Sequence, residues 1–147
     1  MKIYNKIVIV FYMLIVIISL SDCSNNKNNK SQRFEIISKF IALNKLKSID
    51  NVFAFNFRGW SSLDDSHLIV DSGFNRNYLL KLEGYCSNLS YAINIKLYQG
   101  INNRLQTHFD SVSVINQSFP QKCRIKKIYL LTNDQKNELN KVYKQNI

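Results

Sequence analysis

The 147 residues include only two histidines, three cysteines and four glycines. That scarcity excludes several kinds of machinery. The chain has no glycine-rich phosphate loop, no His-Glu-x-x-His helix and no nucleophile elbow. Its cysteines stand at positions 23, 86 and 123, so there is no Cys-x-x-Cys redox motif. Acidic side chains are also few, ten against twenty Lys plus Arg, which leaves a formal net charge of +10. The lysines form no single block. Most lie at Lys27 and Lys30, at Lys39, Lys45 and Lys47, and from Lys122 to Lys144. Such a spread favours a solvated surface or attraction to anionic headgroups and acidic polysaccharide.

The longest apolar run is residues 7–18, IVIVFYMLIVII. As a helix it is about 18 Å long, well short of a hydrocarbon core of ~30 Å. Lysines precede it at Lys2 and Lys6 and small polar residues follow, the tripartite shape of an export signal over residues 1–22. Two processing routes compete at its end. Leu20-Ser21-Asp22-Cys23 resembles a lipobox, in which the cysteine receives diacylglycerol and further acyl groups such as palmitate. Asp22 departs from the Gly, Ala or Ser usual before that cysteine. The rival is ordinary signal-peptidase cleavage after Ser21, guided by the small residues Ser19 and Ser21, which yields a soluble periplasmic protein.

Cysteine parity bears on the choice. An exported protein meets an oxidising compartment, and an odd count requires a fate for one thiol. Acylation of Cys23 leaves Cys86 and Cys123 as a pair. Their disulfide is expected to stabilise the fold by roughly 4 kcal/mol through loop closure; the alternative is two buried reduced cysteines.

Residues 23–32 are polar without apolar periodicity and are expected to be a flexible tether behind the anchor. Residues 33–147 suit one globular domain with one core. From Arg33 to Lys47, Phe34, Ile37 and Ile41 recur at helical spacing and predict an amphipathic helix. Strand patterns follow. Phe53, Phe55 and Phe57 alternate, then come Leu68–Val70, Tyr78–Leu82, Ile93–Leu97 and Ser111–Ile115. Gly73 with Asn75, and Gly100 with Asn102 and Asn103, mark hairpin-like turns. Between strands, residues 86–92 have room for one or two helical turns. In the last strand the apolar parity changes between Ile125 and Ile128, which predicts a bulge at Lys126-Lys127. Thr132-x-x-Gln135 fits a capping box for a C-terminal helix with a Leu139, Val142, Tyr143 stripe. The expected class is α+β, with a mainly antiparallel, barrel-like sheet of about six strands between two helices.

Several spaced blocks point to a family. They are Trp60-Ser-Ser-Leu63-Asp64-Asp65-x-x-Leu68, Tyr78-Leu79-x-x-Leu82-x-x-x-Cys86-x-x-Leu89-x-x-Ala92-Ile93, Phe109-Asp110-x-Val112-x-Val114 and Cys123-Arg124-Ile125-x-x-Ile128-x-Leu130. In this order, across residues 52–131, they resemble the bacterial family called domain of unknown function 6491. The resemblance implies a small exported protein, often a lipoprotein, with no activity to transfer and no cofactor.

Two clusters invite a chemical reading: Asp64, Asp65 and His67, and His108 with Asp110, either of which supplies donors for a metal or for acid-base work. Against that, aspartates after Trp60 commonly bond their own backbone to shape a turn, and two donors make an incomplete zinc site, so no metal and no catalytic residue is assigned. Arg124 is expected to reach Asp64, Asp65 or Asp110. Together with Trp60 these residues make a candidate surface site. Two functions follow: a membrane-tethered envelope lipoprotein that binds another envelope protein or an acidic envelope polymer without turnover, or an exported hydrolase or metal-dependent enzyme. Tethering places the protein facing the periplasm, at the outer membrane in a Gram-negative host. Export makes nucleic acid a poor partner.

Overall fold

The computed structural model describes residues 25–73, 75–101, 103–115 and 120–145; residues 1–22 and Cys23 lie outside them. The chain divides into two compact units, Met1–Gln32 and Arg33–Ile147. All the strands described belong to the second unit. In chain order they are β1 (Ser48–Ile49), β2 (Asn51–Phe53), β3 (Phe57–Ser62), β4 (His67–Ser72), β5 (Arg76–Leu82), β6 (Ile95–Tyr98), β7 (Arg104–Gln106), β8 (Ser111–Val114) and β9 (Cys123–Leu131). Helix α1 (Asn25–Leu43) precedes them, a 3-10 turn (Leu89–Tyr91) lies between β5 and β6, and α2 (Asn133–Gln145) ends the domain. Every pairing is antiparallel.

Six strands run in the order β3-β4-β5-β9-β8-β6, with β1 also paired to β9 and a separate ribbon formed by β2 and β7. The main sheet is curled into a half-barrel, which makes the domain α+β. Its central strands are apolar on both faces because both faces are covered. Leu68, Val70, Tyr78 and Leu80 look into one core with Phe55, Leu89, Val112 and Ile125. Their neighbours Ile69 and Leu79 look the other way, with Tyr129 and Leu131, into a second core closed by Ile37 and Phe40 of α1 and Leu139 and Tyr143 of α2. The period of two in the strands thus assigns each apolar side chain to one of two cores. Each fully buried aliphatic or aromatic side chain contributes roughly 1.5–3 kcal/mol of transfer free energy.

The change of parity in β9 is a bulge. Leu80 pairs with Ile128 and Lys81 with Lys127, but Leu82 pairs with Ile125, so Lys126 is the extra residue. The bulge returns Ile125 and Cys123 to the core that Ile128 also faces. At the end of β9 the capping box forms reciprocally: the Gln135 N–H donates to Thr132 Oγ1 at 3.2 Å, and the Thr132 N–H donates to Gln135 Oε1 at 3.0 Å.

Three expectations are corrected. The phenylalanine alternation is not one strand: Ala54 takes a left-handed φ of 50°, ending β2 at Phe53, and the Phe55 N–H donates to Asn103 O at 2.9 Å. Only Phe55 of the three is buried. The Gly100 turn does not make a hairpin of its flanking strands, because β6 pairs with β8 while β7 pairs with β2. Gly73 and Asn75, by contrast, do turn β4 into β5. The buried face of α1 is narrower than the periodicity suggests, with Ile37 and Phe40 buried but Phe34 and Leu43 exposed. Helix α1 begins at Asn25 and so includes the polar residues from there to Gln32.

Candidate functional site

The turn between β3 and β4 is built by the aspartates that follow Trp60. The Leu63 and Asp64 N–H groups both donate to His67 O, at 3.0 and 3.2 Å, and Asp64 Oδ1 accepts the Ser66 N–H at 2.6 Å. His67 is 1% exposed, and its Nδ1 lies 3.0 Å from both oxygens of Asp64. A carboxylate only accepts, so the ring proton belongs on Nδ1. Asp65 points elsewhere. Its Oδ1 accepts the Ser90 N–H at 3.1 Å and the Ser90 hydroxyl at 2.7 Å, and its backbone O accepts the Cys86 N–H at 2.7 Å. The turn is therefore fastened to the loop that carries the disulfide.

Asp110 does the same for another loop. It is 0% exposed, and its two oxygens accept the Gly100 N–H at 2.8 Å and the Gln106 N–H at 2.7 Å. His108, two residues earlier, is exposed and has a left-handed φ of 64°. Its Nδ1 sits 3.1 Å from Glu83 Oε1, so the imidazole and the Asp110 carboxylate do not act together. Arg124 is also exposed, and its ion pair is with Glu83 at 3.7 Å, not with Asp64, Asp65 or Asp110. Sequence reasoning missed Glu83, whose N–H donates to Arg124 O across the β5–β9 ladder at 2.8 Å. Trp60 is half-buried against the first core. The five candidate residues thus form no common surface site: two carboxylates hold loop backbone, one orients a histidine, and the arginine and tryptophan belong elsewhere. Among the described residues no group of three or more His, Cys, Asp or Glu is placed to hold a metal.

Cys86 and Cys123 do form a disulfide, with Cα atoms 5.7 Å apart. Both are buried in the first core, 1% and 3% exposed. The bridge ties the loop after β5 to the first residue of β9.

Two electrostatic features lie outside the Asp and His clusters. At the β9 bulge, Lys81 faces Lys127 across the ladder and its ammonium lies 4.7 Å from the centre of the Phe34 ring. Burial, and then the charges of Lys126 and Lys127, hold its pKa below the ordinary lysine value. The second feature is a cleft of about 470 Å³ between α2, the start of the domain at Arg33, the end of β3 and the 3-10 turn. Its walls include Arg33, Ser61, Ser62, Asn140, Tyr143 and Lys144, with no carboxylate. These residues come from distant parts of the chain, and no local period announces them. The nearest signal was Tyr143 on the apolar stripe of α2, a ring whose hydroxyl needs a partner once it is buried.

The curled antiparallel sheet, its two covering helices and the buried bridge define a small disulfide-stapled α+β domain. The chain belongs to the family described as "Family of unknown function (DUF6491)", whose model matches residues 6–146. No curated protein and no solved structure matches it.

Proposed function

We propose that this chain is an exported envelope lipoprotein, held at the membrane by acylated Cys23, which binds or supports another envelope component and turns over no substrate. The buried Cys86–Cys123 bridge carries the reading, because structural disulfides persist where the compartment is oxidising. It also accounts for two of three cysteines and leaves Cys23 for the anchor. The clustered Lys81, Lys126 and Lys127 favour an acidic partner, since a nearby anion relieves their mutual repulsion. The aspartates that invited a hydrolase reading are engaged in holding loops. The protein then faces the periplasm, on the outer membrane in a Gram-negative host.

Fractionation of cells expressing the chain and its Cys23→Ala variant tests the tether. The parent protein is expected in the membrane fraction and C23A in the soluble fraction or retained as uncleaved precursor. Efficient processing of C23A to a mature protein that still sediments with membranes would overturn acylation as the anchor.

A further inference from the structure

The cleft beside α2 holds two buried polar groups that the fold leaves unserved. The Tyr143 hydroxyl and Arg33 Nε are both shielded from solvent and neither makes a hydrogen bond. Tyr143 is only 7% exposed, and the Arg33 guanidinium carbon lies 5.5 Å from the centre of its ring. The guanidinium is close enough to act on the hydroxyl as a charge and as a marginal donor, without the geometry of a full hydrogen bond. Buried polar atoms without partners are rare and costly, and two on adjacent side chains of one cleft call for a reason.

The rest of the wall is consistent in character. Lys144 adds a second cation, while Ser61 and Asn140 add hydroxyl and amide groups; the Ser62 hydroxyl is given to Ser90 O at 3.4 Å. Ser90 contributes less as a donor, because its hydroxyl and its N–H are both given to Asp65. Burial pushes the Tyr143 hydroxyl above its ordinary pKa, against the opposing influence of Arg33 and with the Asp64 and Asp65 carboxylates adding to the rise, so at neutral pH it remains an O–H. The wall is thus two cations and neutral hydrogen-bond donors, with the Asp64 and Asp65 carboxylates near enough to act on Tyr143 but not lining the cleft. A tetrahedral oxyanion matches that set: guanidinium donors approach it as a fork, and ammonium and hydroxyl groups supply the remaining contacts. At about 470 Å³ the cleft also has room for the polar group that a phosphate esterifies.

We propose that this cleft binds a phosphate ester, with Arg33 and Lys144 neutralising the phosphate and the Tyr143 hydroxyl donating to one of its oxygens. The source is either a free phosphorylated polyol or the headgroup of an anionic phospholipid. The proposal does not rest on the export reading, and either can fail alone.

The test is an amide NMR titration of the full chain in a non-ionic detergent. The probes are inorganic phosphate, glycerol 3-phosphate and dihexanoyl phosphatidylglycerol. Glycerol 3-phosphate is expected to shift Ser61, Ser62 and Asn140 saturably, in the millimolar range, and more tightly than inorganic phosphate. Arg33→Gln should weaken binding about tenfold. Tyr143→Phe keeps the packed ring and should weaken binding roughly threefold without lowering the thermal midpoint. Tighter binding of the short-chain lipid at the same amides assigns the headgroup as the source; tighter binding of glycerol 3-phosphate assigns the free ester. Absence of saturable shifts with every probe overturns the proposal. So do shifts centred on Lys81, Lys126 and Lys127 that survive both R33Q and Y143F, because they transfer the anion contact to the β9 bulge.

Discussion

Replacing Cys86 and Cys123 together by serine is expected to lower stability by about 4 kcal/mol and the thermal midpoint by roughly 15 °C. The bridge closes a loop with a sequence separation of 37, and the entropy removed from the unfolded chain sets the size of the effect. Small domains hold only about 5–15 kcal/mol in total, so the loss takes a large share. Position adds to it. The bridge joins the loop that holds Asp65 to the first residue of β9, so the unbridged chain loses the covalent tie between that loop and the sheet. Urea unfolding of oxidised parent, reduced parent and the C86S/C123S variant measures it. Reduction alone should account for most of the loss, because it leaves both sulfurs in the core. A difference under about 1 kcal/mol between oxidised and reduced parent would mean that the bridge does not restrict the unfolded state as the loop length requires.

Asp110→Ala is expected to cost about 3 kcal/mol. The carboxylate is fully buried and accepts the Gly100 and Gln106 N–H groups, so its removal leaves two backbone donors without acceptors, each worth roughly 1–3 kcal/mol. Asp110→Asn should also destabilise, by about 2 kcal/mol, since its amide nitrogen would meet one of those donors with a donor of its own. This pair of variants separates two roles. An acid-base residue tolerates Asn as a stable, inactive protein, whereas a loop-holding acceptor does not. Unfolding free energies for D110A and D110N within about 0.5 kcal/mol of the parent would contradict the loop-holding role.

Particular residues explain why some of the molecule was legible in the sequence. The bulge at Lys126 could be read because Cys123 and Ile125 share one parity, Ile128 has the other, and all three must reach the same core. The cap at Thr132 could be read because its two hydrogen bonds are local. The cysteine pair followed from counting. Where the reading failed, the cause was a long-range pairing or a backbone reversal at an ordinary residue. Ala54 gives no composition signal for its left-handed conformation, so three alternating phenylalanines imitated one strand. The Gly100 turn was real chemistry for a reversal, but pairing β6 with β8 leaves β7 for β2, a choice made by strands far apart in sequence. Arg124 found Glu83 because the bulge places β5 and β9 in a register that pattern alone does not specify. The cleft at Arg33 and Tyr143 was invisible for the same reason: its donors converge only after both helices pack on the sheet.

The envelope-lipoprotein reading reduces to the chemical state of three cysteines. Intact mass of the membrane-fraction protein, before and after reduction, reports all of them at once. Anchoring predicts a chain that starts at Cys23 and carries diacylglycerol and an N-acyl group, and that gains the mass of two hydrogens on reduction as Cys86 and Cys123 open. A chain that starts at Asp22 with no acyl mass would contradict it.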